Sequence, residues 1–421
     1  MTGRRRVVLV VCDSLRADLV DDETAPTLSR LRRDAASFPA FRSTFPSTTR
    51  TSSACIATGC TPAAHGLLGN TMVLDEGQGL RCFSVGKPDF LQRLRKVTGR
   101  ALHRRTMHER VRHIAPAVLM SNVSPGAAYV QDPEHAGYVY HRSGSFGPGG
   151  ESLADGLDIG IGVEGDRAMT ERFCGEVLRE RRPAYAVLWL SEPDHTGHHT
   201  PLGSPEHRAA IRQADTNVNH VVRTVEDLER DGDSVLLAVC SDHGMQTVRR
   251  KIDVEAELVA AGFKASPASG DIVAAPQGTS VLLHFAPEAR ARIPAVTEWL
   301  RTRDFAGEVI EGHRLADVGL PAVGSLSLAI NLAGDDEPNE FGVRGRSDVA
   351  ENALGGESLP GHGQHGGLAR YEQQPFLAIK DATIESGRHD TPASLIDLAP
   401  TFLRHLGLPA EGIEGQPLPR P

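Results

Sequence analysis

The chain has 421 residues, 40% hydrophobic and 24% charged, a composition typical of a globular protein with two or three domains or one large α/β domain. Its formal net charge of −9 excludes the basic surface of a nucleic-acid-coating protein, because phosphate neutralisation drives that kind of affinity. The six cysteines contain no CxxC pair, which argues against a disulfide framework or a thiolate zinc site, and no run of 18 apolar residues predicts a membrane helix, so we expect a cytoplasmic protein without a membrane partner.

The first part of the chain predicts a strand followed by helices. Residues 7–12 form a continuous β-branched run, which is typical of a buried parallel strand. Helical spacing follows at residues 26–36, and a Pro-Ser-Thr-Thr cluster followed by Gly59 predicts a helix at residues 49–58. Residues 71–160 are harder to interpret, and residues 124–150 are predicted to be mainly loop because Gly, Pro and His are frequent there.

Regular alternation returns after residue 160. A helix is expected at residues 166–180, a strand at 185–190, a long helix at about 205–228 and a strand at 234–240. Strands alternating with helices are typical of a doubly wound, mostly parallel α/β sheet flanked by helices. We therefore expect an α/β fold of this class.

The segment at residues 251–350 has a different pattern. Strands are expected at residues 280–285 and near residues 308 and 325, with a helix at residues 287–301. We interpret this segment as a smaller α+β cap, inserted between residues 1–250 and 351–421 of the main α/β core. A strand at residues 376–379 and a helix at residues 392–406 return the chain to that core.

Polar residues follow three of the predicted core strands. Asp13 follows the first strand, Asp194 and His198 follow the second, and Asp242 and His243 follow the third. A single Asp after a strand is often only a turn or cap residue. Because the carboxyl ends of parallel strands meet at the edge where ligands bind, five such residues on three strands indicate one site. Asp and His without thiolates suit zinc.

Two divalent ions need about six protein ligands, with positions left open for the substrate. The late segment Pro360-Gly-His362-Gly-Gln-His365-Gly-Gly offers two further histidines. Its glycines would allow the loop to approach a metal closely. Both His362 and His365 are therefore candidates for the sixth ligand.

The segment at residues 45–59 places several hydroxyl groups at the start of a predicted helix. Unpaired amides and the helix dipole at that position favour a phosphate oxygen or an alkoxide. A hydroxyl nucleophile must be activated by a base or a metal. The alternative is that these Ser and Thr residues are ordinary helix caps.

Together these motifs resemble the alkaline phosphatase superfamily, in its type I phosphodiesterase / nucleotide pyrophosphatase branch. They occur in the family's order from residue 7 to about residue 407, and the last of them, Asp397-Leu-Ala-Pro-Thr-Phe-Leu, resembles the family's final core helix. The others are Val-Val-Cys-Asp13, Thr49 ten residues before Gly59, His65-Gly-Leu-Leu-Gly-Asn70, Glu-Pro-Asp194-His-Thr-Gly-His198, Ser-Asp242-His243-Gly and Gly-Gln-His365-Gly-Gly.

The resemblance implies an alkaline phosphatase-like fold, two Zn²⁺ per chain and a role for each matched residue. Thr49 would be the nucleophile that forms a phospho-threonine intermediate, and Asn70 would donate to a phosphoryl oxygen. The implied ligands of one zinc are Asp13, Asp242, His243 and the Thr49 oxygen, and those of the other are Asp194, His198 and His365.

The nucleophile, the last metal ligand and the residues that contact substrate each have alternative candidates. Thr44 in Ser-Thr-Phe-Pro matches the family pattern superficially and Thr48 adjoins Thr49, but the spacing to Gly59 favours Thr49. The Gly-x-His-Gly-Gly pattern favours His365 over His362. Residues that could contact substrate, or else lie on exposed surface, are His195, His199 and Arg50. Aromatics that could stack on a base, or else anchor a loop, are Phe90, Tyr138, Tyr140 and Phe146.

The resemblance implies a small-molecule phosphodiester or nucleotide substrate, while the sequence does not predict the oligomeric state. A neutral Asn70 and the absence of a third ligand set favour diesters over monoesters. Alternatives are a phosphomonoesterase or phosphonate hydrolase of the same superfamily, a manganese phosphomutase, and a non-enzymatic metal-containing binding protein. A sulfatase is disfavoured because Ala64 replaces the required Arg in Cys60-Thr-Pro-Ala-Ala64.

Overall fold

The structure, a computed structural model, describes residues 3–355 and 358–419 and alternates strands with helices along the chain. The strands are β1 (Arg5–Cys12), β2 (Ala36–Ser37), β3 (Phe41–Arg42), β4 (Thr71–Asp75), β5 (Leu80–Ser84), β6 (Val118–Ser121), β7 (Tyr138–His141), β8 (Tyr185–Leu190), β9 (Ser234–Cys240), β10 (Gln246–Ile252), β11 (Ile272–Pro276), β12 (Ser280–Phe285), β13 (Ala306–Glu311), β14 (Leu326–Leu332), β15 (Gly334–Pro338), β16 (Arg344–Ala350), β17 (Gly363–Gln364), β18 (Leu377–Lys380), β19 (Gly387–Arg388) and β20 (Ala393–Ser394).

The α-helices differ widely in length, from one turn to the 26 residues of the longest. They are α1 (Pro26–Asp34), α2 (Thr49–Thr58), α3 (Pro62–His65), α4 (Phe90–Thr98), α5 (Met107–Val111), α6 (Pro125–Tyr129), α7 (Val163–Arg172), α8 (Asp194–His199), α9 (Pro205–Arg230), α10 (Val254–Ala260), α11 (Ile293–Arg301), α12 (Arg314–Asp317) and α13 (Leu398–Leu406). A π-helical segment, Phe173–Arg181, continues α7.

An eight-stranded sheet with the order β19-β2-β18-β9-β1-β8-β6-β7 forms the core of the fold. Strand β1 lies between β8 and β9 and is parallel to both, whereas β18 is antiparallel to its neighbours β9 and β2. The apolar side chains of β1 from Val7 to Cys12 are fully buried, as a central parallel strand requires. This sheet confirms the predicted mostly parallel α/β fold.

Both faces of the sheet are covered by helices. Alternate residues of β1 point to opposite faces, so Leu9 joins a core with Phe402 of α13, and Val10 joins a second core with Val218 of α9. Helix α2 packs in the first core, and α1 and α7 pack in the second. Helices on both faces leave the carboxyl edge of the parallel strands open for a site.

Two further sheets follow in the second half of the chain. An antiparallel sheet with the order β11-β12-β14-β13 packs against α11 around its own apolar core, and a second sheet has the order β15-β16-β10-β17. The predicted strands near residues 280–285, 308 and 325 are present as β12, β13 and β14. The domain boundaries at residues 250 and 351 stay a prediction.

Residues 124–150 are mainly loop, as predicted, although two short elements interrupt the loop, and two predicted helix starts were wrong. The two short elements are α6 and β7, and β7 extends the central sheet through β6. Four-residue strands carry too little periodicity to be recognised from sequence. The helices expected from residues 287 and 392 begin at Ile293 and Leu398, after a 3₁₀ turn in each case. Within the described ranges, no helix combines the length and apolar character needed to cross a bilayer.

Candidate active site

The carboxyl ends of β1, β8 and β9 bring the predicted polar residues to one edge of the central sheet. Asp13 directly follows β1, and Asp242 and His243 follow β9. After β8 the chain enters the short helix α8, where Asp194 and His198 are one turn apart and therefore share a face. All five candidates named from the strand ends meet there.

The first group of possible metal ligands consists of Asp13, Asp242 and His243, all fully buried. His243 Nε2 lies 3.1 Å from Asp242 Oδ2 and 3.7 Å from Asp13 Oδ1. Thr49 Oγ1 lies 3.1 Å from the same imidazole nitrogen. The predicted nucleophile therefore adjoins the first group directly.

The second group consists of Asp194, His198 and His365. Asp194 Oδ1 lies 3.3 Å from His198 Nε2 and 3.5 Å from His365 Nε2. The competing His362 lies in neither group, and its Nδ1 lies 3.1 Å from the backbone oxygen of His198. The structure thus places His365, rather than His362, at the site.

The three imidazoles share one hydrogen-bonding pattern. Each Nδ1 faces a backbone carbonyl oxygen, to which it donates, and this leaves the lone pair of Nε2 directed at the carboxylates. Such a bond typically fixes the tautomer of a metal-binding histidine. The Nδ1 partners are Gly363 for His198 (3.1 Å), Gly244 for His243 (3.1 Å) and Ser47 for His365 (2.8 Å).

The electrostatics of the site fit bound divalent cations. Asp13 Oδ1 and Asp242 Oδ2 are buried without a hydrogen-bond partner, while Trp189 Nε1 donates to Asp13 Oδ2 at 3.0 Å. Burial, together with the carboxylates of Asp242 and Asp194, raises the pKa of Asp13 well above its usual value. Buried, unpaired carboxylate oxygens are costly unless a cation offsets them. The donor set of Asp and His therefore fits metal ions.

Ser14 connects the two groups. Its Oγ donates to Asp194 Oδ1 at 2.6 Å and lies 3.0 Å from His243 Nδ1. Its φ of 58° is in the left-handed region, which is strained for a serine and recurs at functional sites. The rings of His243 and His365 stack with centroids 3.8 Å apart, so the two groups form one continuous site. Sequence reasoning missed Ser14, although it directly follows Asp13.

Thr49 is the first residue of α2, and Thr48 is the residue that precedes the helix. Thr49 is half-buried and lines a cavity of about 250 Å³ that also contains Asp13 and Asp194. Thr48 is fully buried with its Oγ1 2.9 Å from Thr51 Oγ1, and neither Thr48 nor Thr44 lines that cavity. Of the three candidate threonines, only Thr49 faces the two groups.

Asn70 faces the same cavity from the turn after α3. Its backbone N–H donates to Gln277 Oε1 at 2.6 Å, which ties the turn to the loop after β11. Its Oδ1 is buried without a partner, so the amide group is not committed to another part of the protein. Gln277 positions Asn70 through this bond, and no sequence pattern points to it.

A second cavity of about 630 Å³ adjoins the first and shares Arg50, Asn70 and His198 with it. His195 lines the smaller cavity and His199 the larger, so both histidines reach the site. The aromatic candidates Phe90, Tyr138, Tyr140 and Phe146 line neither cavity. In the structure, these aromatic rings pack within the fold instead of facing substrate.

Glu372 is a positioning residue that the sequence did not reveal. It is fully buried, and its Oε2 accepts hydrogen bonds from the amides of Gly366 (2.9 Å) and Gly367 (2.5 Å). Ser47 Oγ and Thr279 Oγ1 also donate to it, at 3.1 and 2.7 Å. The loop that carries His365 is therefore held to the segment before Thr49 by one carboxylate.

We expect Glu372→Gln to weaken metal binding by the second group about 10-fold or more, as for other residues that support metal ligands. The Gln side chain keeps the shape of Glu, but it is neutral and one of its two polar atoms is a donor. It therefore cannot replace the four hydrogen bonds that the carboxylate accepts. Competition with a calibrated chelator measures the change, with exposed Glu226→Gln on α9 as the matched control. Unchanged metal affinity in Glu372→Gln would exclude the positioning role.

The solved structures with a similar fold include two of one murine protein. Murine ectonucleotide pyrophosphatase / phosphodiesterase 5 matches with a TM-score of 0.69, 15% identity and coverage of 98% of both chains. An inactive threonine-to-alanine variant of the same murine protein, in complex with AMP, matches with a TM-score of 0.68, 15% identity and the same coverage. No curated protein sequence matches the chain.

The sequence itself matches a family model, described as type I phosphodiesterase / nucleotide pyrophosphatase, over residues 7–307. This range contains Thr49, Asn70 and every residue of the two predicted metal groups other than His365. Because the match covers more than half of the 421 residues, the chain belongs to the type I phosphodiesterase / nucleotide pyrophosphatase family.

Proposed function

We propose that the protein is a two-zinc hydrolase that cleaves phosphodiester or nucleotide pyrophosphate bonds through a phospho-threonine at Thr49. Membership of the family makes the chain a hydrolase of phosphodiester bonds. The observation that supports Thr49 as the nucleophile is the position of its Oγ1, which lies 3.1 Å from His243 Nε2 at the start of α2.

Asp13, Asp242, His243 and the Thr49 oxygen would hold one zinc, and Asp194, His198 and His365 would hold the other. When bound, the two cations would supply Lewis-acid stabilisation of negative charge and lower the pKa of coordinated hydroxyl groups. The all-Asp/His donor set is one that zinc accepts, with room left for substrate.

The chain's own residues account for the nucleophile and the orientation of the substrate. In the first step a bond forms between Thr49 Oγ1 and phosphorus as the bond from phosphorus to the leaving oxygen breaks, and the hydroxyl proton of Thr49 ends on the leaving oxygen. In the second step water attacks phosphorus, the bond to Thr49 Oγ1 breaks, and the hydroxyl is restored. The sum is hydrolysis of a diester to a monoester and an alcohol, or of a pyrophosphate to two phosphates.

Charge on the phosphoryl oxygen would be stabilised by two protein elements. The first amides of α2 have no partners within the helix, and Asn70 lines the same cavity as Thr49. Donors fixed before the reaction stabilise developing charge without having to reorganise. Asn70 is neutral, which suits the single charge of a diester.

We expect Asn70→Ala to lower kcat/KM for a diester by about 10²- to 10³-fold, the usual effect of removing one such donor. Zinc content and the thermal midpoint should stay near those of the wild type, because the Asn70 side chain belongs to neither metal group of the described residues. A loss of less than threefold would show that Asn70 does not contact the reacting group.

Small nucleotides are the proposed substrates. The related murine protein was solved with AMP, and its inactive form carries a threonine-to-alanine change, which parallels the role proposed for Thr49. Within the described ranges, only two groups have three or more possible metal ligands. The described residues offer no third group to hold a further cation, which would help to neutralise the extra charge of a monoester. The site therefore favours diesters.

Zinc content and the hydrolysis of bis(p-nitrophenyl) phosphate and p-nitrophenyl phosphate test this function together. We expect about two zincs per chain and a higher kcat/KM for the diester. A higher value for the monoester would identify a phosphomonoesterase. Zinc binding without hydrolysis of either ester would favour a metal-containing binding protein.

A further inference from the structure

We infer that the larger cavity contains an anion subsite, built on Arg50 with Lys87 at its edge, that binds a second phosphate of the substrate away from the bond that is cleaved. The inference rests on the function proposed above and specifies its substrate. It favours a pyrophosphate-linked nucleotide over a diester with a single charge.

Arg50 lies where the two cavities meet, directly after the proposed nucleophile. It lines both cavities, so its guanidinium reaches from the reacting centre into the larger space. Its Nε donates to Ser124 Oγ at 3.2 Å, and its Nη1 lies 3.5 Å from the backbone oxygen of Asn70. The side chain is therefore held at the junction by neutral groups.

The charge of Arg50 has no carboxylate partner. Across residues 3–355 and 358–419 no ion pair of Arg50 is present, whereas other arginines, such as Arg16 and Arg249, pair with a carboxylate. A guanidinium has five N–H donors, and Nη2 of Arg50 makes no hydrogen bond to the described residues. Unused donors beside the reacting centre are available to an anionic substrate.

Gly86 leaves the space that Arg50 occupies. A Cβ built on Gly86 would lie 2.6 Å from Nη2 and 3.0 Å from Cζ of Arg50. Every other residue type would therefore push the guanidinium away from its position. The absence of a side chain at Gly86 is a second, independent feature that serves the placement of Arg50.

The lining of the larger cavity has the chemistry of an anion site. Its described lining residues include Arg50 and Lys87 but neither Asp nor Glu, and no Phe, Tyr or Trp. Lys87 is exposed and makes no ion pair with the described residues. The described part of the lining, cationic and polar and without aromatic rings, suits a phosphate better than a stacked base.

A second phosphate explains why the cation is an arginine. The planar guanidinium matches two phosphate oxygens at once, while the exposed Lys87 adds a point charge at the edge. The smaller cavity of about 250 Å³, which Thr49 lines, would hold the reacting phosphoryl group. The larger cavity of about 630 Å³ would hold the rest of the nucleotide.

Comparing ATP with bis(p-nitrophenyl) phosphate tests the subsite, since only ATP carries phosphates beyond the one attacked. We expect Arg50→Ala to lower kcat/KM for ATP about 10- to 100-fold more than for bis(p-nitrophenyl) phosphate, mainly through KM. Arg50→Lys should recover part of the loss, and Lys87→Ala should show a smaller selective loss. The matched control is Arg93→Ala, whose side chain pairs with Asp89 and Glu76 outside both cavities.

Gly86→Ala provides a second variant, which keeps Arg50 but displaces it, and it should show the same selective loss for ATP. Zinc content and the thermal midpoint are measured for every variant. Equal losses for both substrates, or no loss for either, would overturn the subsite. So would a wild type that cleaves bis(p-nitrophenyl) phosphate in a Thr49-dependent way but not ATP. Only a wild type that cleaves neither substrate would overturn the proposed function itself.

Discussion

Thr49→Ala is expected to lower diester hydrolysis by at least about 10⁴-fold while leaving the zinc content close to that of the wild type. Thr49 Oγ1 is the hydroxyl that faces the two metal groups, so alanine removes the atom that would bond to phosphorus. The six Asp and His side chains of the two groups remain in place. Initial rates with bis(p-nitrophenyl) phosphate and metal analysis of the same samples measure both effects.

Two variants control for this result. Thr49→Ser restores a hydroxyl and should recover much of the activity, whereas Thr48→Ser keeps the hydroxyl bonded to Thr51 and should change the rate little. If Thr49→Ala retained substantial turnover, Thr49 would not be the nucleophile. Thr44, Thr48 or direct attack by water would then have to be considered.

Removing the metal ions is expected to have the second large effect. A chelator, or Asp242→Asn in the first group, should reduce turnover by about 10³-fold or more, because charge on the phosphoryl oxygens would lose its main stabilisation. The metal-free protein should also unfold at a lower temperature, since Asp13 and Asp242 then remain buried together. A ligand at 100 times its Kd stabilises a protein by about 2.7 kcal/mol.

Differential scanning calorimetry with and without zinc measures the stability effect, and metal analysis of Asp242→Asn measures the lost site. The exposed Asp390→Asn serves as the control for a carboxylate-to-amide change. Full activity in the presence of excess chelator, with no zinc bound, would contradict a metal-dependent reaction.

The part of the site that the sequence predicted lies at the ends of regular elements. Asp13 and Asp242 directly follow continuous apolar runs, and such runs identify buried parallel strands without knowledge of their neighbours. The position of Thr49 at the start of α2 was predicted from the hydroxyl cluster at the beginning of the helix and from Gly59 at its end. Gly59 adopts the left-handed conformation that commonly ends a helix.

The rest of the site depends on contacts between distant parts of the chain. Glu372 holds the His365 loop through groups at Ser47 and Thr279, and Gln277 positions Asn70 across 207 residues. An isolated Glu or Gln in a sequence has no pattern that reveals such a contact. Arg50 could be named as a candidate, but only the structure shows that it lacks an ion partner at the cavity junction.

Fold prediction had the same limit. The long strands and helices were recognised from their periodicity, whereas β6 and β7 have only four residues each and join the sheet through pairing with β8. At residues 393–394 pairing with β3 competes with helix formation, which delays the start of α13. Tertiary pairing of this kind outweighs local propensity.

A crystal structure of the wild type with zinc and orthovanadate, recorded at the zinc absorption edge, tests the central claim most directly. We expect two anomalous peaks, one within each Asp/His group, and a vanadium atom bonded to Thr49 Oγ1 with Asn70 donating to one of its oxygens. Fewer than two zinc peaks at these groups, or a vanadate that does not contact Thr49, would contradict a two-zinc phosphodiesterase with Thr49 as its nucleophile.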